Sequence, residues 1–372
     1  MSAVRHLYVH LPFCASRCGY CDFVTVVGRS GQHRAYVDAL LTELEIERAV
    51  LAPRLESVFL GGGTPTLTEP RELERLLRAL PTAEELTVEA NPETVTPTLA
   101  RLLREGGTTR VSLGAQSFQP RLLSVLERRA GPDDVRRAVY ALRDANLDNV
   151  SLDLVYGIPG QSAADLHADL SEALALGPEH LSCYELEAKP GTRFTHAHGA
   201  ELARQAETME TYFERVVARL TEAGYRWYET ANFCRSPRLA DGRDLRSRHN
   251  LAYWRGRDYL GLGIGAVSTI DVERRRNTPR LGRYLASLGA GKRPEREVEL
   301  LPERVRRSER VLLGLRLDEP LQLDGLADAV DTDALVRLER LGLVCRDEGG
   351  GALALTERGR FLGGGVTAEL LA

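Results

Sequence analysis

Lysine is nearly missing from this 372-residue chain: only Lys189 and Lys292 occur, and arginine supplies almost all the positive charge. That skew reads as compositional bias of the genome. With a net charge of −4 there is no basic excess of the kind that follows a phosphate backbone, so nucleic acid is not an expected partner. No apolar run approaches the ~18 residues of a membrane span. The opening MSAVRHLYVH also lacks the apolar core of a signal peptide. The expected location is the cytoplasm, where the six cysteines would be thiols or metal ligands rather than disulfides.

What is present is a regular alternation. The segments HLYVHLPF, SVFLGGG, ELTVEAN, RVSLGAQ, NVSLDLVYG and HLSCYELE have strand character, and helical patterns such as 34–50, 70–80 and 97–105 separate them. Six βα units in a row imply a parallel sheet, either a partial barrel or a doubly wound sheet. The polar residues Cys14, Glu89, Gln116 and Asp153 and the stretch 61–64 fall at the C-terminal ends of strands, where a βα barrel gathers its chemistry. The expected fold is therefore α/β, a partial (βα)6 barrel over residues 1–195. An extension over 196–300 opens with a long helix at 200–223. A mainly helical, winged-helix-like domain over 301–372 has helices at 303–317 and 323–341 and a glycine-turned hairpin.

Three cysteines crowd into CASRCGYCDF as Cys14, Cys18 and Cys21, and Phe23 follows where a fourth could stand. Soft thiolates select zinc, Cu(I) or iron–sulfur clusters. A four-iron cluster normally takes four cysteines, so three would leave one iron open to a substrate or cofactor. Cys183, Cys234 and Cys345 are scattered and read as small buried residues. The glycines of FLGGGTPT allow close backbone approach, and RHNLAYW gathers His249, Asn250, Tyr253 and Trp254.

CxxxCxxC with Tyr20 before its last cysteine resembles the signature of the radical S-adenosylmethionine (SAM) enzymes. That resemblance implies a [4Fe-4S] cluster on Cys14, Cys18 and Cys21. It also implies a SAM molecule that chelates the open iron and is cleaved to a 5′-deoxyadenosyl radical. Gly62, Gly63 and Thr64 match the glycine motif of those enzymes. LGAQSF and DLVYGIPGQ look like the coproporphyrinogen dehydrogenase branch, in which the positions matching Tyr8, Glu89, Gln116, Arg128 and Asp153 touch the cofactor. HNxxYW, through DYLGLGIGA, resembles the HemW-type heme chaperones and makes His249, Asn250, Tyr253 and Trp254 candidates for heme, with His249 a candidate iron ligand. Two readings follow. One is a heme carrier serving apoproteins of the respiratory chain, and the other is an oxygen-independent coproporphyrinogen III dehydrogenase. The dehydrogenases resemble CxxxCxxCxC and carry a substantial N-terminal extension; here Phe23 replaces the additional cysteine and 13 residues precede the first. Both favour the carrier. Relatives often show GAHS where this chain has GAVS, with Val267, and a histidine where it has Ala130. A homodimer and a peripheral membrane contact stay open.

Overall fold

A computed structural model describes residues 3–189, 193–237 and 242–371. Residues 238–241, in the arginine- and aspartate-rich loop, lie outside the described residues. Six parallel strands follow the expected order: β1 (His6–Leu11), β2 (Leu55–Gly62), β3 (Ala83–Ala90), β4 (Arg110–Gln116), β5 (Val150–Tyr156) and β6 (His180–Glu185). The strand Leu260–Leu262 adds in parallel outside β1. The hairpin Tyr225–Trp227 and Asn232–Arg235 adds antiparallel outside β6. The two outermost strands do not pair with each other, so the sheet is a partial barrel.

The period of two along each strand makes two surfaces. Leu7, Val9, Val58, Leu60, Leu86, Val88, Val111, Leu113, Leu152 and Leu181 join one core with the covering helices, such as His33–Glu47 and Pro132–Asp144. The alternate residues, Tyr8, Phe59, Thr87, Glu89, Ser112 and Asp153, form the polar inner face. A band of bonds is buried there: Arg110 and Ser151 to His180, and His180 to the hydroxyl of Tyr228.

The extension departs from the sequence expectation. Its long helix is two, Arg193–Gln205 and Met209–Glu222, joined by a tighter turn at Ala206–Thr208. The apolar stretch 259–270 is broken between Leu262 and Val267, where Gly263 and Gly265 take φ of 100° and 66°. Beyond the break, Val267–Ile270, Glu273–Asn277 and Arg296–Leu300 form a separate antiparallel sheet. Arg296 fastens its last strand to the first helix through Glu43 and Glu47.

The C-terminal domain has its own core, including Val311, Leu315, Leu335, Leu338 and Leu353. Its first helix, Glu303–Gly314, is shorter than expected. The second begins only at Thr332, because Leu321–Gln322 pairs with Ala352–Leu355 as a third strand beside the expected hairpin. Cys183 and Cys234 are buried as expected, whereas Cys345 is exposed on that hairpin.

Candidate functional site

The cysteine loop is pinned at both ends. Phe13–Cys14 pairs in parallel with Val26–Val27, the Val26 amide donates to the Pro12 carbonyl at 2.8 Å, and His10 Nε2 meets the Val24 carbonyl at 2.8 Å. Tyr20 packs edge-on against Phe194, with ring centroids 6.4 Å apart. The loop thus closes over the C-terminal ends of the barrel strands.

Beneath it lies a cleft of about 370 Å³. Cys14, Cys18, Cys21, Tyr20, Gly62, Gly63, Thr64, Glu89, Gln116, Arg128 and Asp153 all line it, although they come from five different βα units. A chain of contacts crosses the mouth. Cys14 Sγ lies 3.7 Å from Thr64 Oγ1, and Asn91 Nδ2 donates to that hydroxyl at 3.1 Å. Arg128 Nη2 donates to Asn91 Oδ1 and to the Gly114 carbonyl, both at 2.9 Å, and Arg128 Nη1 lies 3.7 Å from Cys18 Sγ. Asn91, just past the end of β3, therefore links the surroundings of two cysteines.

The chemistry of the donors fits an iron–sulfur cluster. Three soft thiols face one cleft, and burial pushes the Cys14 and Cys21 thiols up, so a metal must displace their protons. Among the described residues no three ligating groups gather as they would around a single ion. Inside the mouth, Arg128 Nε and Thr25 Oγ1 are buried without partners. The polar floor fits a zwitterionic cofactor bearing hydroxyls. Gln116 stands at the strand end with φ of 64°, where the pairing of β4 with β5 slips by a bulge.

Glu89 Oε2 accepts from the Gly62 amide at 3.1 Å. Burial, and secondly the charge of Asp153, lift its pKa from 4.5 to about 7. Asp153 is raised too, by burial, against hydrogen bonds from Ser182 and Ser112. Because the folded protein binds the Glu89 proton more tightly than the unfolded chain, this group's contribution to stability falls as pH rises from about 4.5 to about 7. Glu89→Gln should therefore stabilise the ligand-free protein at pH 8 by about 1–3 kcal/mol and by little at pH 4. Urea unfolding at the two pH values measures this, and equal effects at both would refute it.

Tyr8 is placed differently. It does not line the cleft but lies in the barrel interior, its hydroxyl 3.0 Å from His10 Nδ1 and its ring stacked on Phe59. His249 lies behind it at 2% exposure, and both its ring nitrogens are engaged: Nδ1 with Ser57 Oγ at 2.9 Å and Nε2 with the Tyr253 hydroxyl at 3.1 Å. Burial lowers its pKa to about 3, so the ring is neutral. The helix Arg248–Trp254, capped by Ser247, carries Asn250, Tyr253 and Trp254 onto the wall of a separate cavity.

The radical SAM superfamily profile matches residues 8–173. The heme chaperone HemW of Mycobacterium tuberculosis is 36% identical, with 98% of this chain and 94% of the relative aligned. The heme chaperone HemW of Bacillus subtilis is 31% identical over 99% of each. That of Escherichia coli is 36% identical over 70% of this chain and 68% of the relative. Among solved structures, coproporphyrinogen III oxidase (HemN) from Escherichia coli superposes with a TM-score of 0.83 at 22% identity, covering 99% of this chain and 90% of that one. It shares the fold, including the C-terminal domain.

Proposed function

Starting from the fact that this chain belongs to the HemW heme-chaperone family of the radical SAM superfamily, we propose that it binds heme and delivers it to apoproteins of the respiratory chain in the cytoplasm. A [4Fe-4S] cluster on Cys14, Cys18 and Cys21 and SAM at the open iron accompany the heme. In this reading Tyr20, Gly62, Gly63, Thr64, Glu89, Gln116, Arg128 and Asp153 surround the cofactor, and Tyr8 supports them from below through His10. The cofactor supplies one-electron chemistry when bound; the chain's own part is to hold it under a closed loop, with Arg128 beside Cys18 and Thr64 beside Cys14.

One observation supports the carrier most: Asn250, Tyr253 and Trp254 stand together on a cavity beside the cofactor cleft, so a second, flat ligand has room of its own. His249 acts there through Tyr253, whose hydroxyl it holds. The phenyl group of Phe23, where the dehydrogenases resemble a further cysteine, is 63% exposed at the cleft and offers no ligand. The test is to give anaerobically reconstituted protein coproporphyrinogen III in one tube and heme in another. Stoichiometric heme binding with a Soret band, and no protoporphyrinogen IX, is the expected pair of results. Conversion of coproporphyrinogen III would favour the dehydrogenase.

A further inference from the structure

The helix Glu303–Gly314 reads ERVRRSERVLLG. Arg306 and Arg310 stand one turn apart on one of its faces, a pair of like charges that weakens a helix. Both line a cavity of about 640 Å³ that has no residue in common with the cofactor cleft and only Tyr253 and Leu312 in common with the cavity of Asn250 and Trp254. Arg257 joins them from the barrel side. It follows the helix Arg248–Trp254, where the chain turns at Gly256 with φ of 58° and the Arg257 amide donates to the Ala252 carbonyl at 2.9 Å. Arg310 lies against that turn. A Cβ on Gly256 would meet its Cδ at 3.1 Å, and its Nη1 donates to the Trp254 carbonyl at 3.4 Å.

The acids around this cavity are already engaged. Arg274 holds Glu309 through two bonds of 3.0 and 2.7 Å, Arg307 holds Glu303, and Asp258 accepts from the Asp271 amide at 3.1 Å. Glu56, which feels the charge of Arg257, is bonded by Arg5 at 3.0 Å. Arg257, Arg306 and Arg310 make no ion pair among the described residues. Arg310 is half-buried, and after burial itself the charges that push its pKa down are those of Arg257 and Arg255. Arg257 is exposed, and of the Arg306 guanidinium only Nε is enclosed without a partner, so their terminal nitrogens are open to a ligand. Guanidinium groups gathered without a counter-charge repel one another, and an anion relieves that repulsion.

We propose that this cavity binds a phosphate monoester, with Arg257, Arg306 and Arg310 taking the phosphate and Leu301, Leu313 and Leu326 facing its apolar body. A phosphate monoester carries nearly two negative charges and three strong acceptor oxygens, which suits three guanidinium forks better than the single charge of a carboxylate. The volume lies within the roughly 300–1,000 Å³ typical of small-molecule sites, so an organic body has room beside the phosphate. Because Arg257 belongs to the barrel side and Arg306 and Arg310 to the C-terminal domain, the bound ester ties the two together. The assignment does not depend on the heme reading.

Isothermal titration of the full-length, cluster-reconstituted protein, with SAM present and ionic strength held constant with chloride, tests it. The probes are phenyl phosphate, inorganic phosphate, benzoate and phenol. Phenyl phosphate should bind as one equivalent, about tenfold or more tighter than benzoate or inorganic phosphate, and should raise the melting temperature; phenol should not bind. Arg257→Gln and Arg306→Gln should each weaken phenyl phosphate by about tenfold. Arg307→Gln is the control, since Arg307 lines the same cavity but is already paired with Glu303 and Asp328, and it should leave the affinity unchanged. The change in the cluster's EPR signal on adding SAM reports that each variant's barrel is intact. In phosphate-free buffer Arg257→Gln should melt no lower than wild type, because it removes a repelling charge from the surface. Absence of phenyl phosphate binding by wild type, or equal affinity in Arg257→Gln and Arg306→Gln, would overturn the site. Benzoate or inorganic phosphate binding as tightly as phenyl phosphate would overturn the phosphate monoester as its ligand.

Discussion

Replacing any one of Cys14, Cys18 or Cys21 with alanine should abolish the iron–sulfur centre, whereas Cys183→Ala, Cys234→Ala and Cys345→Ala should each retain it. The three loop thiols face one cleft, and the others do not line it. The side chains bonded to Cys14 and Cys18, Thr64 and Arg128, are a hydroxyl and a cation, and neither substitutes for a thiolate. Because Cys14 and Cys21 are pushed up as thiols, assembly must release protons, so cluster affinity should rise with pH. The loop cysteines are only half-buried, so their removal should change the stability of the cluster-free protein by less than about 1 kcal/mol. The measurements are iron and sulfide content, EPR with and without SAM, and denaturant unfolding of the cluster-free variants. A full cluster retained in any of the three loop variants would overturn the ligand assignment.

The strands and the cleft were legible because both follow from local rules. Alternation with period two marks the inner face of each barrel strand, and the cysteine spacing needs only one loop. His249 shows where that legibility stops. Its motif is local, but its partner Ser57 lies 192 positions away, and nothing in RHNLAYW indicates that both ring nitrogens are already engaged. The sheet of Val267–Ile270, Glu273–Asn277 and Arg296–Leu300 escaped for a different reason. ERRRN holds no apolar residue, and the short alternation in REVEL leaves Val298 and Leu300 exposed rather than facing a core. What holds the last of them is Arg296 on buried Glu43 and Glu47, an ion cluster joining residues some 250 apart.

The triple glycine after β2 carries the other large expectation. Its sequence suggests backbone opened for a ligand, and the structure shows that packing demands it as well. A Cβ on Gly61 would meet Glu89 Oε2 at 2.9 Å, and one on Gly63 would meet the Pro12 backbone at 2.5 Å. At Gly62 the added atom would fall against the His10 ring, and φ there is 111°, a region L-residues seldom enter. His10 is the clasp of the cysteine loop, holding the Val24 carbonyl with one nitrogen and the Tyr8 hydroxyl with the other. Gly62→Ala should therefore do two things: destabilise the fold by more than about 3 kcal/mol, and lower the yield of reconstituted cluster although every thiol remains. Gly28→Ala is the control, since Gly28 also has a positive φ, 72°, but nothing lies within 4 Å of its would-be Cβ. It should cost only the backbone strain, about 1–2 kcal/mol, and leave the cluster intact. Urea unfolding and iron content, measured on both variants, separate strain from collision. Equal losses in the two would mean that His10 yields freely to the new methyl group and that the loop does not depend on its clasp.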